Sequence, residues 1–118
     1  MTDRRELKRQ YRETARPMGV FRIHDTAEGR SHVGRSVDLP AMLNRQRFQL
    51  ESGDHPDKRV QAAWNASDGT GFEFETLDTI EPLDEPGYDP ADDLDALAEI
   101  WRDRLRERGE RLFGDPGA

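Results

Sequence analysis

The sequence predicts a small α+β domain: a three-stranded antiparallel sheet with flanking helices and an extra N-terminal helix. Three observations predict it. Short β-like runs stand at 18–24, 30–35 and 72–77, the last alternating apolar and acidic residues. Apolar residues recur at helical spacing in four other segments. The chain is 118 residues long with no internal repeat, which suits one domain with a modest core.

Residues 3–15 read as the extra helix, with Leu7, Tyr11 and Ala15 on one face and Pro17 ending it. Met18–His24 reads as the first strand. Val20, Arg22 and His24 fall on one face; Gly19, Phe21 and Ile23 fall on the other. Residues 25–29 carry turn chemistry, and 30–35 read as the second strand of a hairpin.

Asp38 is placed to cap a helix running to about Glu51, with Pro40 tolerated in its first turn and Gly53 ending it. Its apolar stripe is Leu39, Met42, Leu43 and Leu50. A short helix over 56–66 buries Val60, Ala63 and Trp64, and a third strand follows at 72–77. Residues 80–90 form an acidic, proline-rich loop. Asp89 and Pro90 then open the last helix as N-cap and first residue, with the stripe Leu94, Leu97, Ala98, Trp101 and Leu105. The expected organisation is an N-terminal helix over 1–17, one domain over 18–113 and a tail over 114–118.

Composition narrows the function. The absence of cysteine removes disulfide frameworks and thiolate metal sites. The N-terminus lacks an apolar leader and no long apolar run follows, so a soluble, cytoplasmic protein with no membrane partner is expected. Net charge is −7, unevenly spread. Residues 1–47 hold 11 basic and 6 acidic groups, whereas residues 48–99 hold 2 and 15. A basic half can follow a phosphate backbone while the acidic half faces away. There is no P-loop, dinucleotide fingerprint or nucleophile elbow, and the carboxylates of 81–95 lack the spacing of a calcium loop.

Two tripeptides stand out: Gly19-Val20-Phe21 and His32-Val33-Gly34, one on each strand of the hairpin. Their setting, followed by a capped helix with Asn44-Arg45-x-x-Phe48-Gln49-Leu50, the Gly53-Asp54-His55 loop, the Phe72 strand and a helix carrying Trp101, resembles the GIY-YIG nuclease superfamily. The resemblance spans about Met18 to Leu105. It implies a DNA phosphodiester-cleaving fold assisted by a divalent cation, Mg²⁺ or Mn²⁺. In that family a tyrosine helps activate water, an arginine steadies the phosphate and a glutamate holds the metal.

Mapped onto this chain, the tyrosine positions carry Phe21 and His32, the arginine position Met42 and the glutamate position Ala98. Phe21 has no hydroxyl, and Ala98 offers no oxygen to a hard cation. The resemblance therefore implies a degenerate active site. If activity remains, the catalytic candidates are His32, an imidazole that can act as a base, with Arg45 and His55. The DNA-facing candidates are Arg22, Arg30, Arg35, Arg45 and Arg47. Two further readings stay open: a non-catalytic nucleic-acid-binding module, and an interaction module that uses acidic loop 80–95 toward a protein partner.

Overall fold

The structure, a computed structural model, describes residues 16–116; the helix expected over 3–15 lies outside them. The chain runs β1 (Met18–Asp25), β2 (Arg30–Ser36), α1 (Leu39–Ser52), α2 (Lys58–Ser67), β3 (Phe72–Ile80), α3 (Ala91–Glu107) and β4 (Arg111–Leu112). The sheet order is β3-β1-β2-β4. β1 pairs antiparallel with both β2 and β3, and β4 runs parallel to β2. The sheet is thus four-stranded and mixed, not three-stranded and antiparallel. The added strand is two residues long, too short to show any alternation in sequence.

β1 lies centrally and both of its faces are covered. On one face, Val20 and Val33 pack with Ala98, Leu105 and Leu112, with Leu77, Leu97 and Trp101 alongside. On the other, Phe21 and Ile23 pack with Leu39, Leu50 and Val60, and Met42, Leu43, Trp64, Phe72 and Phe74 extend the cluster. The sheet therefore sits between α3 and the α1–α2 pair, as its two-sided pattern demands.

Both tripeptide glycines mark close approaches. A Cβ on Gly34 would lie 2.4 Å from Cζ of Phe21, whose ring rests on that strand position. A Cβ on Gly19 would meet the Asp78 carbonyl oxygen and lie 2.8 Å from Thr79 Cα. Beside Gly19, the β1–β3 register shifts between Val20 and Phe21, so Leu77 is an extra residue. Leu77 then joins the Val20 face, while Asp78 Oδ2 accepts the Trp101 indole N–H at 3.1 Å.

The helix ends follow local chemistry. The Asp38 carboxylate accepts the Ala41 N–H at 3.2 Å, and Gly53 closes α1. α2 starts later than its pattern suggests, because the Asp57 carboxylate caps it through the Arg59 N–H at 3.0 Å. At α3, Pro90 takes the N-cap position rather than the first helical one, and Asp89 reaches past it to the Ala91 N–H at 3.0 Å. β3 runs on to Ile80, three residues past the alternating run. Among the described residues no helix is long and apolar enough to cross a membrane.

Candidate functional site

β2 lies between β1 and β4, but β4 matches only Arg30 and Ser31. From His32 onward the outer edge of β2 is open. The Val33 carbonyl there accepts Nη2–H of Arg102 from α3 at 3.1 Å, which satisfies a group that a longer β4 would have paired. His32 projects on the Phe21 face, opposite Ile23 in β1. Its ring centroid is 6.2 Å from that of Phe21 and 5.8 Å from that of His55, which it meets edge-on.

His55 sits in the connection between α1 and α2 and is only 6% exposed. The Asp57 backbone N–H donates to its Nδ1 at 3.1 Å, so Nε2 carries the proton and donates to Gln46 Oε1 on α1. The His55 N–H donates to Gln61 Oε1 at 2.9 Å, and Gln61 Nε2–H donates to the Leu50 carbonyl at 3.0 Å. Both ring nitrogens are thus engaged, and the imidazole brackets α1 to α2. Burial lowers its pKa, so the ring is neutral at pH 7.

These groups line an open cleft of about 470 Å³ formed by His32, Gln46, His55, Asp57 and Arg59, with Pro56 and Lys58 at its rim. His32 is held well below the usual imidazole value, at about 4. Burial is the main cause, and repulsion from His55, Arg102 and Arg59 outweighs the pull of Asp57, whose Oδ2 lies 4.0 Å from Nδ1. Burial pushes the Asp57 carboxyl up, but hydrogen bonds from Arg59 more than offset this and keep it ionised.

Of the catalytic candidates, His32 and His55 share this cleft. Arg45 is exposed on α1 and does not line it; the adjacent Gln46 does. Phe21, at 2% exposure, and Met42 belong to the core cluster under α1 and α2. Ala98, also 2% exposed, packs with Val20 and Val33 on the opposite side of the sheet.

The five candidate DNA-facing arginines do not form one track. Arg22, only 13% exposed, donates to Ser31 Oγ at 2.8 Å, Glu75 at 3.0 Å and Glu110 at 2.9 Å. Arg30 pairs with Asp25 at 3.2 Å and stacks over Phe113. Arg35 pairs with Asp95, and Arg47 lies over the Phe74 ring.

The donor set does not fit Mg²⁺ or Mn²⁺. Asp57 is the one carboxylate lining the cleft, and both its oxygens are engaged by Arg59. Among the described residues, no group of three or more His, Cys, Asp or Glu side chains is placed to hold a metal ion. Sequence reasoning missed Gln46, Asp57 and Arg59. The run His55-Pro56-Asp57 carried a signal, because an aspartate after proline before an apolar repeat is a helix start.

By sequence, no family model and no curated protein matches the chain. By structure, it is similar to the catalytic domain of the homing endonuclease I-TevI, with a TM-score of 0.62 and 23% identity over 83% of this chain and 99% of that one. A mutant of the catalytic domain of intron endonuclease I-TevI gives the same TM-score and identity over 80% and 90%. The fold is therefore GIY-YIG-like, the architecture expected from the two tripeptides.

Proposed function

We propose that this chain is a GIY-YIG-like domain that binds nucleic acid through phosphate contacts and lacks metal-dependent cleavage by the family's route. One observation carries the reading: Ala98, at the family's glutamate position, is buried in the core between the sheet and α3. A carboxylate there could not reach the cleft, and Asp57 is already spent on Arg59 and the start of α2. Water activation is weak for the same structural reasons. Phe21 has no hydroxyl, and an imidazole with a pKa near 4 has little drive to take a proton from water at neutral pH.

What persists is cationic. Lys58 and Arg59 border the cleft, and Arg102 sits at the open edge of β2. Guanidinium groups suit phosphate oxygens because their planar donors match two oxygens at once.

The direct test incubates the purified chain with nicked, branched and supercoiled DNA, with Mg²⁺ or Mn²⁺. The expected result is salt-dependent association without cleavage. Metal-dependent cleavage that disappears in His32→Ala or Arg45→Ala would overturn the proposal. If DNA affinity is absent even at low salt and a protein co-purifies, the exposed acidic segment 80–95 becomes the interaction surface to pursue.

A further inference from the structure

Behind His32, a second cavity of about 360 Å³ opens between the edge of β2, α3 and the segment after β4. Three guanidiniums line it: Arg59 from the first turn of α2, and Arg102 and Arg106 one turn apart on α3. His32, Asp57 and Asp115 complete its polar wall. We propose that this cavity is a phosphoryl-anion site that takes the terminal phosphate of a nucleic-acid strand, an assignment that rests on the nucleic-acid reading above.

The first argument is what the arginines already hold. Arg106 grips Asp115 through Nε and Nη2, both at 3.0 Å, and Arg59 grips Asp57 through Nε at 3.2 Å and Nη2 at 3.3 Å. Each carboxylate occupies the two-point position that a phosphate takes on an arginine. The two are not equally fixed. Asp57 also caps α2 and orients His55. Asp115 follows the two-residue β4, held by Arg106 and by its own N–H donating to the Leu112 carbonyl at 3.0 Å. It is the displaceable latch. Arg102 spends two of its five donors, on Glu99 and on Val33, and its others remain for a ligand among the described residues. Its field already reaches the cavity, since it is one of the charges depressing His32.

The second argument is the setting. Arg22, Arg30 and Arg35 are held in ion pairs, and residues 48–99 are strongly acidic. A continuous duplex would bring about one negative charge per 1.7 Å past that surface. A strand end brings one group. A terminal phosphate carries nearly two charges at pH 7 and three unesterified oxygens, enough to engage several guanidiniums, whereas a backbone diester offers one charge and two such oxygens.

The test measures metal-free binding of the full chain to one oligonucleotide sequence in three forms: 5′-phosphorylated, 3′-phosphorylated, or hydroxyl at both ends. Inorganic phosphate is assayed in parallel through its effect on the melting temperature. At least one phosphorylated form is expected to bind tenfold or more tightly than the hydroxyl form. Arg102→Gln should erase that difference with native secondary structure retained, and Asp115→Asn, which leaves every arginine in place, should enlarge it. Equal affinity for all three forms overturns the proposal. If no strand binds but inorganic phosphate stabilises the wild type and not Arg102→Gln, the strand-end assignment and the nucleic-acid reading fall and the anion site stands. If neither strands nor phosphate have any effect, the anion site falls as well.

Discussion

Ala98 is a methyl group in a packed layer with Val20, Val33 and Leu105. A carboxylate placed there is a buried charge with no partner, which costs several kcal/mol. Ala98→Glu should therefore lower unfolding free energy by at least about 3 kcal/mol in urea denaturation, without creating metal-dependent cleavage. His32 makes a prediction about pH. In the unfolded chain it takes a proton near pH 6.5, by its ordinary value, while in the fold it resists protonation down to about 4. The unfolded state therefore binds more protons in that window. The stability this contributes is complete above pH 6.5 and is lost as the pH falls toward 4, by about 3 kcal/mol at most. Urea midpoints measured across pH 4–7 should fall toward acid, and His32→Gln should reduce the decline, with His55, whose pKa burial also lowers, supplying the remainder. Glu110 and Asp115, whose carboxyls are held below their usual range, begin to lose their contribution only below the ordinary carboxylate values of 4.5 and 3.8, toward the acid end of that window.

Among the described elements, β4 is the smallest, and it ties the end of α3 to the sheet. Leu112 enters the α3-side core, and Glu110 just before it accepts Ser31 Oγ–H at 2.8 Å and Arg22 Nη2–H at 2.9 Å, with His24 Nε2 also 2.8 Å away. Removing that charge leaves Glu75 as the one carboxylate on Arg22 and takes the charge away from His24. Glu110→Gln should cost about 2 kcal/mol, read as a lower thermal midpoint with native secondary structure retained. The helices were legible because each repeats its apolar face over several turns and carries its own start or stop signal, such as Asp38 or Gly53. The hairpin was legible from two short β-like runs joined by a turn. β4 was not, because two residues have no period and their pairing is wholly non-local.

Across the whole molecule, charge sorts by place more than by segment. The basic N-terminal half suggested an arginine track, yet Arg22, Arg30 and Arg35 close internal ion pairs, while Arg59, Arg102 and Arg106 come from the other half to one cavity. A molecule of net charge −7 that binds through this cavity should show a shallow salt dependence. The slope of log affinity against log salt for a strand should lie at about −1 to −2 between 50 and 200 mM, as expected when one or two phosphates are neutralised. A slope steeper than about −4 would reveal an extended track. The sequence by itself determined the α+β class and the order of hairpin and helices, because these depend on local periodicity and residue identity. Only the tertiary structure decided that His32 meets His55 and not Arg45, that Gln46 and Asp57 fix the cleft, and that three arginines from two helices share a cavity. Those facts depend on which helix turn faces the open edge of β2, and on a β4 too short to close it.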